Sequence, residues 1–223
     1  METIKTIIIN LPYILEGTYI TVLLVVGALS LGFCLGVPLA IMQVYGNSVI
    51  RRMVGLYVWF FRGIPILLLL FLFYFGLFNV IGLNLDALTA SGLVLGLASS
   101  AYQSQIFRGS IQSLPLGQFK AGSALGMTNA QIIKNIILPQ ALRLSIPGWS
   151  NEFSILLKDS ALCFAVGASE IMARAHFVAS RTYEYLPLYI TAGFLYFLIT
   201  LVGIRILRHV ERKFAIPGYT LSV

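Results

Sequence analysis

Residues 115–140 read PLGQFKAGSALGMTNAQIIKNIILPQ, a polar-punctuated stretch set between long apolar runs. Pro115, Gly117, Gly126 and Pro139 interrupt it, with Pro147 just beyond. Ala121, Ala124, Leu125, Ile132, Ile133, Ile136 and Ile137 recur at helical spacing, and Lys120 and Lys134 fall outside that apolar set. The pattern predicts two short helices meeting near Gly126. On periodicity alone two readings stay open: a helix lying on a bilayer surface, or a cytoplasmic knob offered to a partner protein.

The rest of the chain decides the solvent. Of its 223 residues 58% are hydrophobic and 10% charged, against about 25% charged in soluble domains. That balance excludes a soluble globular enzyme, a disordered tail and a nucleic-acid binder driven by bulk charge, and makes the lipid bilayer the main partner. Five apolar runs are long enough to cross it: 18–45, 59–83, 87–107, 145–167 and 186–206. The start, Met1-Glu2-Thr3-Ile4-Lys5, has a single cation, and Glu16 precedes the first long apolar run. No cleaved signal peptide is expected. The expected fold is all-α and integral to the membrane, one domain over 1–223.

The net charge of +7 then reports topology. Gly82-Leu83-Asn84-Leu85-Asp86 is a short connection without a cation. Arg51, Arg52 and Arg62, then Arg108, Lys120, Lys134 and Arg143, then Arg205, Arg208, Arg212 and Lys213 fall on one set of alternate connections. Lys5, Arg174 and Arg181 fall on the other, and Lys158 lies inside a run. Cytoplasmic loops carry the excess of cations, so the N-terminus is expected outside and the C-terminus in the cytoplasm of a multi-pass inner (cytoplasmic) membrane protein.

Catalytic signatures are missing. There is no GxxxxGK[ST], HExxH, GxSxG or GxGxxG with its strand and acid, and His176 and His209 have no nucleophile beside them. Cys34 and Cys163 sit in apolar runs without a CxxC, so neither a disulfide nor a metal site is expected. Polar groups inside the runs are the better lead, because charge in hydrocarbon is costly. Asn151, Ser154 and Lys158 follow at i, i+3 and i+7, and Glu152 and Asp159 form an adjacent column. This wedge either locks helix packing or lines a substrate pathway. Gly96, Ser100 and Ser104 make a small-residue packing stripe, and Tyr102 and Gln105 stand near its end as packing or ligand groups. Trp59, Phe60, Phe61, Phe71, Phe73, Tyr74 and Phe75 read as core or lipid-facing.

Taken in order, the motifs resemble the permease subunits of ATP-binding-cassette (ABC) importers for polar amino acids, of the type I importer fold. Lys120-Ala121-Gly122-x3-Gly126-x9-Ile136-x-Leu138-Pro139 is similar to that family's EAA loop, E-A-A-x3-G-x9-I-x-L-P. Arg62-Gly63-Ile64-Pro65, Ala101-Tyr102-x-Ser104, Arg108-Gly109-x-Ile111-x-Ser113, Gly117-Gln118, Pro139-Gln140-Ala141-x-Arg143 and Asn151-Glu152-Phe153-x-x-Leu156-Leu157-Lys158-Asp159 flank it. The resemblance, which runs from about Leu15 to Phe214, implies five transmembrane helices and a cytoplasmic coupling helix within 115–140. Lys120, Ala121, Gly122, Ala124, Leu125, Gly126, Asn129, Gln131 and Ile132 are then the expected ATPase-coupling residues. Tyr102, Gln105, Asn151, Glu152, Ser154, Lys158 and Asp159 are the expected pathway residues.

The same resemblance implies the partners: two copies of an ATP-binding subunit, a second permease copy or a homologous permease, and an extracytoplasmic solute-binding protein. No cofactor is expected in this chain, ATP and Mg being held by the ATPase. Lys120 replaces the Glu of the loop, Gly122 replaces its second Ala, and Gln105 stands where relatives carry an acidic residue. Two other classes are weighed against this reading. An ion-coupled secondary transporter would use Glu152 and Asp159 as a relay but lacks an inverted repeat, and a membrane-embedded hydrolase finds no motif.

Overall fold

The structure is a computed structural model and describes residues 2–214. Nine helical segments follow in chain order: α1 (Glu2–Tyr45), α2 (Ser48–Gly63), α3 (Ile66–Val80), α4 (Ala87–Gln112), α5 (Leu116–Ala124), α6 (129–144), α7 (Ile146–Asp159), α8 (Ile171–Thr182) and α9 (Tyr185–Phe214). Among the described residues there is no strand.

α1 is the spine of the bundle. Its 44 residues measure about 66 Å at 1.5 Å per residue, roughly twice the hydrocarbon thickness. Three buried apolar clusters form along it. The first, nearest the start of α1, joins Ile14 to Ile171, Ala175, Val178 and Leu188 of α8 and α9. The central one joins Leu24, Val25, Ala28 and Leu29 to α3, α4 and α7. The third joins Ala40 to Phe107, Ile111, Ile132, Ile137 and Ala141. Packing at Ile7 and Ile14 explains why the helix begins at Glu2, well before the apolar run expected from Thr18.

Among the described residues two helices are long and apolar enough to cross a membrane by themselves, Thr3–Tyr45 and Tyr185–Phe214. The stretch 59–83 is not one straight helix: α2 and α3 meet at 106°. The cause lies in Ile64-Pro65. A residue before proline is pushed out of the helical region, and Ile64 is extended at φ −107°, ψ 133°. α3 continues through a π-turn at Leu72–Leu77, and the Asn79 side-chain amide donates to the carbonyls of Tyr74 and Phe75 there.

α4 is the central helix, and its burial explains its composition. Ser91, Gly96, Ala98, Ser99, Ser100, Ala101, Gln103 and Ser104 are all buried, because small residues let α1 approach closely. Asp86 caps it, accepting from Leu88 N and Thr89 N at 3.1 Å each. A hydrogen bond from the Thr89 side chain, and then those from the Thr89 and Leu88 amides, hold the Asp86 carboxyl below the usual carboxylate range. The fourth apolar run, 145–167, divides into α7 and a 3₁₀ segment, Ser160–Val166, closed by Gly167 at φ 97°.

Glu170 fixes the corner that follows. Its two carboxylate oxygens accept from Ala173 N at 2.7 Å and Met172 N at 2.8 Å, capping α8. The Tyr196 hydroxyl of α9 donates to the same carboxylate, and Ile171 N donates to Thr21 Oγ1 of α1. Glu170 thus ties α8 to α9, and the neighbouring Ile171 amide ties the same corner to α1. Nothing in the sequence pattern singles it out.

Candidate functional site

The expected polar wedge on α7 faces two ways. Glu152 points into the protein and is 4% exposed. Its Oε1 accepts from the Ser99 hydroxyl of α4 at 2.8 Å. Asn151 and Lys158 lie on the exposed face of the same helix, while Ser154 and Asp159 are half-buried. Ser154 donates to Ser150 O at 3.3 Å. Among the described residues Lys158 has no carboxylate within ion-pair distance. The structure therefore separates Glu152 from Asn151 and Lys158.

Behind Glu152 runs a relay of donors. Trp149 Nε1 donates to Gln103 Oε1 at 2.8 Å, and Gln103 Nε2 donates to Leu29 O at 3.1 Å and to Ser99 Oγ at 3.0 Å. Ser99, having given its one proton to Glu152, can only accept from Gln103. The bonds from Trp149 to Gln103, from Gln103 to Ser99 and from Ser99 to Glu152 thus all point toward the carboxylate, the orientation in which linked bonds polarise one another. The amide orientation of Gln103 is set by these partners, since a flip would place its NH₂ against the Trp149 N–H. Gln103 is 0% exposed, and it fits only because Gly32 of α1 has no side chain: a Cβ there would overlap Gln103 Nε2. Ser99, Gln103 and Trp149 are absent from the residues expected from sequence. The cue available was a glutamine in a run of small residues, next to a tryptophan needing an acceptor.

The other two expected pathway residues sit nearer the 115–140 segment. Gln105 donates to Gln43 Oε1 at 2.8 Å and accepts from Arg108 Nη1 at 3.2 Å. Tyr102 is half-buried with the Arg62 guanidinium 4.9 Å above its ring. Arg62, from the corner before Pro65, is thereby brought onto α4. Ser100 and Ser104 satisfy themselves on Leu97 O and Ala101 O at 2.7 Å each, and Tyr57 meets Ser100 at 2.6 Å. That stripe is packing.

Residues 115–140 form two helical arms. α5 ends at Leu125, Gly126 turns the chain at φ 77°, where a side chain would be strained, and Thr128 opens α6 with a capping box to Gln131. Of the nine residues expected to couple, Gly122 and Ile132 face inward and touch. A Cβ on Gly122 would lie 2.8 Å from Ile132 Cγ1, which accounts for glycine at this position. Ile132 is 0% exposed. Lys120, Ala121, Ala124, Leu125, Gly126, Asn129 and Gln131 are exposed, Leu125 at 83%. The α6 arm runs through a π-turn at Ile133–Ile137 and into α7.

Long apolar helices closed on a buried polar seam, with a two-armed helical projection outside it, define an integral-membrane transport subunit. The chain belongs to the family of binding-protein-dependent transport system inner membrane components, whose model matches residues 32–216. It is 35% identical to the arginine transport system permease protein ArtQ of Bacillus subtilis (strain 168), over 92% of this chain and 93% of that protein. It is 36% identical to the putative glutamine transport system permease protein GlnP of Rickettsia bellii (strain RML369-C), over 90% of this chain and 92% of that one. Among solved structures, an amino acid ABC transporter crystallised with histidines superposes with a TM-score of 0.83 at 32% identity, covering 93% of this chain and 96% of that chain. The inward-facing MetNI methionine ABC transporter superposes with a TM-score of 0.73 at 24% identity, over 89% of this chain and 96% of that chain, and shows the shared fold alone. These relatives favour the importer reading over the ion-coupled one.

Proposed function

We propose that this chain is the pathway-forming permease of an ABC importer for polar amino acids. It crosses the inner membrane five times, by α1, α3, α4, α7 with its 3₁₀ extension, and α9, with the N-terminus outside and the C-terminus in the cytoplasm. Two copies of this chain, or this chain and a homologous permease, enclose the pathway. Two ATP-binding subunits hold ATP and Mg on the cytoplasmic side, and an extracytoplasmic solute-binding protein delivers the amino acid. This chain contributes no chemical step.

The observation that supports the reading is that only Ser145 separates α6 from α7. The second arm of 115–140 leads through that single residue into the helix that bears the polar face, so a push on the arm reaches α7 by a short route. ATP-driven closure draws the coupling segments together, and α7 carries Asn151, Glu152, Ser154, Lys158 and Asp159 with it. Tyr102 and Gln105 on α4 complete the lining of the pathway.

The test is Leu125→Asp in the reconstituted importer. Leu125 touches nothing that holds the fold, being 83% exposed, so membrane insertion and thermal stability are expected to be unchanged. Substrate-stimulated ATP hydrolysis is expected to fall roughly tenfold or more, the effect of a charge placed in a desolvated contact. Unchanged stimulation, or solute movement by the permease in vesicles lacking the ATPase, would overturn the reading.

A further inference from the structure

At the end of the bundle away from residues 115–140, α8 closes against the start of α1. Between them lies a cavity of about 420 Å³ lined by Asn10, Tyr13, Phe177, Val178, Arg181 and Thr182. Two arginines border this region and their states differ. Arg174 is committed: it donates to Glu16 at 2.6 Å, to Tyr13 O at 3.0 Å and to Ser169 O at 3.2 Å, and lies 4.7 Å above the Tyr13 ring. Among the described residues Arg181 is held by its cation–π contact alone, 5.2 Å over Phe177. Among the described residues no carboxylate lies within ion-pair distance of it, Glu184 on the same turn included. Its planar fork of N–H donors is held in place and left to an outside acceptor.

The surroundings give the depth. Three residues after Thr182 begins α9, one of the two helices able to cross a membrane unaided. Leu186 and Ile190 on its first turns are 72% and 62% exposed. Tyr183, at φ 59° and 82% exposed, and Tyr185, 40% exposed, stand at the same level. Exposed tyrosines between an apolar face and a charged turn mark the headgroup layer. At that layer the anion that presents paired oxygens to an arginine fork is a phosphodiester.

We propose that this cavity is a binding site for the headgroup phosphate of an acidic phospholipid. Arg181 holds the phosphate oxygens. Asn10, whose amide uses one N–H on Thr6 O at 2.8 Å, has a second to give, and the Tyr13 hydroxyl adds a third donor. The exposed apolar side chains of α9 receive the acyl chains. The inference rests on the membrane reading of α9 and is independent of the proposed cargo, because its test measures lipid retention and no transport.

The test is native mass spectrometry of the full-length permease, purified and offered phosphatidylglycerol, phosphatidylcholine or inorganic phosphate. The wild type is expected to retain phosphatidylglycerol about tenfold better than phosphatidylcholine, the scale of one charge-assisted contact. Arg181→Gln is expected to abolish that preference, and Arg181→Lys to keep part of it. Tyr13→Phe, which preserves the ring under Arg174, is expected to weaken retention by a smaller factor. Equal retention of the two lipids by the wild type, or a preference that survives Arg181→Gln, would overturn the proposal. So would displacement of phosphatidylglycerol by millimolar inorganic phosphate, which would assign the site to a free anion.

Discussion

The Ser99 hydroxyl donates to Glu152 Oε1 at 2.8 Å, joining α4 to α7 across 53 residues of chain. Removing it leaves a buried carboxylate oxygen and a Gln103 N–H without partners. Ser99→Ala is therefore expected to cost about 1–3 kcal/mol, the desolvation penalty of unpaired buried groups. In a Glu152→Leu background the same change is expected to cost clearly less, since no carboxylate remains to be satisfied. Thermal unfolding of the four proteins of this cycle measures the difference, and additive costs would show that the contact contributes nothing.

Gly32 and Gly27 occupy one helix and differ in what they face. A methyl group on Gly32 overlaps the Gln103 amide, whereas nothing lies within 4 Å of one on Gly27. Gly32→Ala is expected to destabilise by about 1–3 kcal/mol through overpacking. Gly27→Ala is expected to be neutral or slightly stabilising, alanine being the better helix former. Equal melting temperatures for the two variants would contradict the packing described for Gln103.

Glu170 joins a helix cap to an interhelical bond. Glu170→Ala removes the cap of α8, worth about 1 kcal/mol, and takes from the half-buried Tyr196 hydroxyl its carboxylate acceptor, at about 1–3 kcal/mol more. The expected sum is about 2–4 kcal/mol. Tyr196→Phe, which leaves the cap in place, is expected to cost less. Limited proteolysis at 167–171 would follow the same order, and an order reversed between the two variants would refute it.

Lys158 bears a charge on the exposed face of α7, where a lipid contact is costly. The proposed pathway makes that face wet. In a Cys34→Ser background, Lys158→Cys and Asn151→Cys are expected to react with a membrane-impermeant thiol reagent. Phe194→Cys on the outer face of α9, 57% exposed in the single chain, is expected to stay unmodified. Protection of positions 151 and 158 equal to that of 194 would place the α7 face in lipid.

Periodicity, charge placement and spacing encode an all-helical membrane chain, two arms meeting at Gly126 and polar columns on α7. They do so because each is a local property of one segment. What they missed depends on two segments at once. Gln103 and Ser99 look like members of a small-residue stripe until Gly32 and Glu152 are set beside them. Glu170 looks like a loop acid until Tyr196 reaches it from α9. The break before Pro65 was readable from the dipeptide itself, but the unbroken hydropathy of 59–83 concealed it. Lys158 and Glu152 share a helix and stand in adjacent polar columns, yet neighbours on α4 decide that only the acid turns inward.

The length of α1 has a mechanical meaning. Ile14 and Ala40, which anchor the two end clusters, are about 39 Å apart along the helix, and the one proline between them, Pro38, lies two residues from the Ala40 end. A rod of this kind behaves as a lever. A tilt of about 5° pivoting at Ala40 displaces the Ile14 end by roughly 3 Å. That is enough to strain the bond from Ile171 N to Thr21 Oγ1, already 3.3 Å long. Movement begun beside residues 115–140 can thus be felt at the opposite end of the bundle through one helix, with no chain of side chains in between.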